Sequence, residues 1–161
     1  MRPVVADTGP PHYLVLIGAI DVLPQLFGRV LIPDVVANEL SHAATPAAVR
    51  AWMKTAPPWL ERRPTARPAN ATPARGAGER AAIALAQATG AQLLLIDDRA
   101  GDMAARVRGL ETIGTLGILL RAAQRGLVTL GPAFARLRET NFRCRPELLA
   151  ALLAQHEAEN S

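Results

Sequence analysis

The run Leu93-Leu94-Leu95-Ile96 stops abruptly at two carboxylates, Asp97 and Asp98. Four consecutive large aliphatic residues, with Gly90 upstream and Gly101 downstream, fit a strand buried on both faces of a parallel sheet. In open α/β sheets the ligand crevice lies just beyond the carboxyl ends of the strands. An acidic pair at that place is either a helix cap or half of a metal site, and the rest of the chain has to decide between the two.

With 161 residues and 50% hydrophobic side chains, the chain is expected to form one domain with a single core. Only 4% of residues are aromatic, so the core must be Leu, Ile, Val and Ala, which favours helices packed on a sheet. The formal net charge is +4, and Lys54 is the only lysine, so nearly all basic groups are Arg. Such a surface suits a polyanion, although an Ala-, Pro- and Arg-rich composition also follows from G+C-rich coding. Cys144 is the only cysteine, so neither an intramolecular disulfide nor a Cys-based zinc site can form, in keeping with a reducing compartment. The apolar run Leu14 to Ile20 is short and broken by Gly18, which fits neither a signal peptide nor a membrane span. A cytoplasmic protein without membrane attachment is expected.

Pro3 to Asp7 reads as a short buried strand ending in a carboxylate, followed by a helix over His12 to Ala19; Asp7 would serve that helix as N-cap or a site as ligand. A short helix over Asp21 to Phe27, a strand over Arg29 to Ile32 and a helix from Pro33 to Leu40 come next. Asp34 in the first turn of that helix is explained by the macrodipole. Glu39 lies near its C-terminus, where a negative charge benefits nothing local, so it is either a solvated residue or a functional one. A helix over Ala47 to Lys54 leads to a Pro- and Arg-rich stretch from Glu61 to Arg75 without periodicity. It reads as a surface loop whose Arg62, Arg63, Arg67 and Arg75 suit phosphate contacts.

Gly76-Ala77-Gly78-Glu79 opens a helix that Gly90 closes, and Glu79 again falls in a first turn. The spacing and lysine of a phosphate-binding loop are missing. After the central strand come a helix over Arg99 to Arg108, a short strand over Leu110 to Ile113, and a helix over Ile118 to Arg125 with Thr115 as candidate N-cap. Two helices follow, near Pro132 to Glu139 and Pro146 to Glu157. Strands alternating with helices predict a parallel sheet with right-handed crossovers. Asp7 and Asp97/Asp98 then end strands on one rim, and Glu39 and Glu79 lie on helices able to present them there. Converging carboxylates repel unless divalent cations neutralise them. Mg²⁺ and Mn²⁺, which prefer oxygen ligands, fit that requirement and are suited to phosphodiester hydrolysis.

Val5-Ala6-Asp7-Thr8-Gly9-Pro10, Ile32 to Leu40, Gly78 to Ala86 and Leu94 to Asp98 together resemble PIN-domain proteins. The Gly114-Thr115-Leu116-Gly117 segment is similar to one found in a VapC-like toxin branch, and the resemblance spans about Val4 to Leu149. It implies a three-layer α/β/α sandwich with a central, mostly parallel sheet of about four to five strands. It also implies a metal-dependent endoribonuclease using Mg²⁺ or Mn²⁺, acting on RNA, paired with a small antitoxin protein and commonly homodimeric. The matching acidic positions are Asp7, Glu39, Glu79, Asp97 and Asp98, with Asp7, Glu39 and the Asp97/Asp98 pair as metal ligands. Thr8, Thr115 and Arg99 are implied as contacts to carboxylate or substrate. The chain departs from the family pattern at Pro11 and at Glu79, where many members carry Asp; the doubled Asp97-Asp98 leaves the ligand register open.

Receiver domains of response regulators need a lysine late in the chain, and dehalogenase-type phosphatases need a second Asp where Gly9 stands. A Ser-His-Asp hydrolase is disfavoured because His12, His42 and His156 are scattered and no Gly-x-Ser-x-Gly occurs. The remaining alternative is a non-catalytic PIN-like module that binds RNA or protein.

Overall fold

Short apolar runs become short strands. In the computed structural model, which describes residues 2–64 and 76–160, β1 (Val4–Ala6), β2 (Val30–Pro33), β3 (Leu60–Arg63), β4 (Leu93–Leu95) and β5 (Thr112–Ile113) form one sheet. Their order is β3-β2-β1-β4-β5, and every pairing is parallel. β1 therefore lies at the centre, with its earlier partner β2 on one side and its later partner β4 on the other. This is the point where the strand order reverses, and it opens the crevice expected of such sheets.

The pleat sends alternate side chains to opposite faces. Val4, Ala6, Val30, Ile32, Leu93 and Leu95 belong to the larger core, whereas Val5, Leu31, Leu94 and Ile96 belong to the smaller one. The larger core is closed by α1 (Gly9–Leu16), α2 (Val22–Phe27), α3 (Asp34–Leu40), α4 (Ala47–Lys54), α7 (Thr115–Gln124), α8 (Leu130–Arg138) and α9 (Pro146–Glu159). On the smaller side lie α5 (Ala77–Thr89), which supplies Ala82, Ile83 and Ala86, and α6 (Arg99–Val107), which supplies Ala105. Helices on both faces of the sheet make the three-layer α/β/α sandwich, with a sheet that is wholly parallel.

Several boundaries differ from those expected, among them the start of α7, at Thr115 rather than Ile118, and of β5, at Thr112 rather than Leu110. β3 occupies Leu60–Arg63, which reads as the end of one segment and the start of a loop. It is an edge strand, and its Glu-Arg-Arg carries the charge that edge strands tolerate and buried strands do not. The remainder of the Arg- and Pro-rich stretch, with Arg67 and Arg75, lies outside the described residues. Helix α1 begins at Gly9, with Pro10 and Pro11 in its first turn, where a missing N–H costs nothing. Helix α8 begins at Leu130, two residues before Pro132. Among the described residues no helix is long and apolar enough to cross a membrane.

Candidate active site

Asp7 follows β1 directly, and its backbone N–H still donates to Leu95 O at 2.8 Å, so the ladder fixes its position. Its side chain is buried, with 6% exposure. The residue at the N-cap of α1 is Thr8, with no side-chain cap, so Asp7 does not serve as a cap. Burial pushes the Asp7 carboxyl up to about 7; a hydrogen bond from the Thr8 backbone opposes the rise, and the charges of Glu79, Glu39 and Asp97 add to it. These three acids come from α5, α3 and the end of β4, and all act on one buried carboxylate.

Asp97 stands two residues beyond β4. The Thr115 backbone N–H donates to its Oδ1 at 2.7 Å, and the Thr115 hydroxyl donates to its Oδ2 at 2.6 Å. Thr115 is fully buried and is the first residue of α7; Gly114 holds the N-cap position instead. The expectation that Thr115 caps its own helix is thus corrected: its hydroxyl is turned away to a carboxylate on a neighbouring strand. Burial raises the Asp97 pKa, and the two Thr115 bonds counter part of that rise.

Glu39, half-buried on α3, accepts a short hydrogen bond from the Thr8 hydroxyl on its Oε2. Glu79 lies in the first turn of α5. A Cβ added at Gly101, in the first turn of α6, would stand 3.4 Å from Glu79 Cγ, so the starts of these two helices meet around it. Asp98 has a different position: it is the N-cap of α6, and its carboxylate accepts from Gly101 N at 2.8 Å. Of the two roles open to the acidic pair, Asp98 takes the cap, and Asp97 is the member that faces the other acids.

Glycines make the close approach of these groups possible. A Cβ at Gly114 would sit 2.7 Å from Asp97 Oδ1, and one at Gly9 would sit 2.9 Å from Asp97 Oδ2. A Cβ at Gly78 would meet the Glu39 oxygens at 2.6 and 2.7 Å. The sequence shows these three glycines only as parts of the family-like segments and not as site residues, because a glycine that touches a distant carboxylate has no local signature. A signal was available in Gly78, which interrupts an otherwise Ala-rich helix that would be more favourable with Ala.

The cations also differ from those expected. Arg62 donates to Asp34 at 2.5 Å and to Asn38 at 3.0 Å, and Arg63 pairs with Glu61 at 3.3 Å, so both are engaged at the sheet edge. Arg99 instead lines a cavity of about 480 Å³ that includes Asp97, together with Arg106, Arg143 and Arg145. The last three were not anticipated as site residues.

The donor set is composed of oxygen, partly buried and mutually repelling, which suits a hard divalent cation. Among the described residues no group of three or more His, Cys, Asp or Glu side chains is arranged so that all could hold one metal ion. An ion here would therefore take one or two carboxylates and complete its shell with water or phosphate oxygens, the usual habit of Mg²⁺. A family model described as a PIN domain matches residues 3–158. A search of curated proteins finds no match.

Proposed function

Because the chain belongs to the PIN-domain family, whose members are generally nucleases that use divalent metals, we propose that it is a divalent-metal-dependent endoribonuclease hydrolysing RNA phosphodiesters. The observation that carries this reading is the buried Asp7 at the strand-order reversal, with Glu39, Glu79 and Asp97 all acting on it. A carboxylate held in that surrounding costs the fold free energy that a cation would return.

Asp7 and Asp97 hold Mg²⁺ or Mn²⁺ in this reading. Divalent ions supply activation of a water near neutral pH and neutralisation of charge at the phosphodiester. Thr115 fixes both oxygens of Asp97, which leaves that side chain no rotational freedom to lose on binding. Thr8 orients Glu39, which positions water on the α3 side, and Glu79 completes the acidic wall from α5. Arg99 receives substrate phosphate beside Asp97. Asp98 is assigned no ligand role, because its carboxylate is the α6 cap.

Within the family, the segment from Gly114 to Gly117 supports placement with the VapC-like toxins. On that placement the chain is the toxin of a toxin–antitoxin pair, covered by a small antitoxin, homodimeric and cytoplasmic. The alternative, a non-catalytic module binding RNA or protein, is favoured by one observation: among the described residues no group of three or more such side chains is arranged to hold one metal ion.

Titration of Mn²⁺ into metal-free wild type and Asp7→Asn, followed by an RNA cleavage assay on both, separates the two. Saturable binding and Mn²⁺-dependent cleavage in wild type, both lost in Asp7→Asn, are expected. A wild type that binds no divalent ion removes the nuclease reading.

A further inference from the structure

The cavity beside Asp97 lies between the start of α6, the start of α7 and residues 142–148. One of its guanidinium groups is already committed: Arg106 Nε donates to Asp102 Oδ1 at 2.8 Å, and the Thr112 hydroxyl donates to the same oxygen. Arg99, Arg143 and Arg145 make no ion pair among the described residues. Asp97 and the already engaged Asp102 are the carboxylates lining the same cavity, so the guanidinium groups outnumber them there and favour an added anion. Phe142 and the 41%-exposed Leu148 supply an apolar surface to the same cavity. The loop carrying Phe142 is anchored to α1, since the Tyr13 hydroxyl donates to Asn141 Oδ1 at 2.9 Å and the Tyr13 ring meets Phe142 edge-on at 4.9 Å.

Anion-binding groups and an aromatic edge in one concavity match a unit that is charged at one end and flat and apolar at the other. A nucleotide is such a unit, and about 480 Å³ falls within the roughly 300–1,000 Å³ of small-ligand sites. A duplex presents its phosphates on a convex surface and keeps its bases stacked, whereas an unpaired base can be splayed against a side chain. We propose that this cavity binds the nucleotide adjoining the scissile phosphate of a single-stranded RNA, with its phosphate on Arg99, Arg143 and Arg145 and its base against Phe142 and Leu148. The assignment rests on the nuclease reading for its substrate class, and it makes Arg143, Arg145 and Phe142 specificity-determining residues for unpaired RNA.

The test is the fluorescence anisotropy of a labelled single-stranded oligoribonucleotide, titrated in EDTA over a range of salt, with cleavage of the same strand measured separately in Mn²⁺. Arg143→Ala and Arg145→Ala should each weaken binding about fivefold and lower the log–log salt slope by about one. Phe142→Leu should weaken binding about tenfold while leaving that slope unchanged. Arg121→Ala, in the last turn of α7 and away from the cavity, should match wild type. A perfectly paired RNA duplex should bind more weakly than the single strand. Variants that bind as tightly as wild type overturn the cavity assignment even if the enzyme cleaves, and so does a duplex bound equally well. Arginine-dependent binding without cleavage in Mn²⁺ leaves the cavity standing and removes the nuclease reading alone.

Discussion

Thr115 donates to Asp97 twice, its backbone N–H to Oδ1 at 2.7 Å and its hydroxyl to Oδ2 at 2.6 Å. One residue at the start of α7 thereby determines the rotamer of a carboxylate at the end of β4. Thr115→Val keeps the shape and the backbone bond but removes the hydroxyl. A lost hydrogen bond to a charged group should lower stability at neutral pH by about 1.5–3 kcal/mol, read from urea unfolding. Thr115→Ser should restore most of it. An unchanged unfolding midpoint in Thr115→Val would show that the hydroxyl bond contributes nothing.

The buried Asp7 makes a prediction of unusual sign. Its carboxyl is raised to about 7 in the folded protein from 3.8, the value for the unfolded chain. Between those values the folded state holds a proton that the unfolded state has released, so stability falls as pH rises. In EDTA, unfolding free energy should decline by on the order of a few kcal/mol between about pH 4 and pH 7. Asp7→Asn should flatten that decline and exceed wild type in stability at neutral pH. Stability that instead rises with pH in this window, with no change in Asp7→Asn, would contradict the raised carboxyl.

Gly78→Ala separates stability from activity. The position is helical and free of left-handed strain, so Ala should gain about 1 kcal/mol of helix propensity. Its Cβ, however, would sit 2.6–2.7 Å from the Glu39 oxygens, and that carboxylate has to swing off Thr8. Thermal stability near wild type, with RNA cleavage reduced about a hundredfold, is the expected result. Cleavage at the wild-type rate would place Glu39 outside the chemistry.

The neighbouring aspartates should separate cleanly. Asp98→Ala removes the α6 cap and should cost about 1 kcal/mol of stability, with Mn²⁺ affinity retained in calorimetry. Asp97→Asn should abolish saturable Mn²⁺ binding at little cost in stability. The reverse pattern would transfer the ligand role to Asp98.

Much of this arrangement was legible in the sequence wherever one residue type serves one environment. The runs Val4-Val5-Ala6, Val30-Leu31-Ile32 and Leu93-Leu94-Leu95 are apolar because both faces of the sheet are covered, and each reads as a strand. β3 was not legible, because an edge strand with Glu61, Arg62 and Arg63 satisfies its charges in solvent and has the composition of a loop. Asp7, Asp97 and Asp98 stood out because charge at the end of a buried strand is costly, and Glu39 because an acid near a helix C-terminus gains nothing locally; Glu79, placed like an ordinary first-turn acid, came in through the family resemblance. What holds them did not stand out: Thr8 and Thr115 carry ordinary helix-start chemistry until the fold brings Glu39 and Asp97 within reach. Arg143 and Arg145 belong to a C-terminal segment whose position against α6 is set only by tertiary packing.

The central place of β1 has a consequence for synthesis. A chain emerging from the ribosome makes Asp7 first, yet β1 gains its second neighbour only once residues 93–95 have been made. The two oxygens of Asp97 stay unrestrained until Thr115 follows. Most of the sequence must therefore be outside the exit tunnel before the acidic cluster takes shape. On the proposed nuclease reading, the acidic residues of the site come together late in synthesis rather than when Asp7 first emerges.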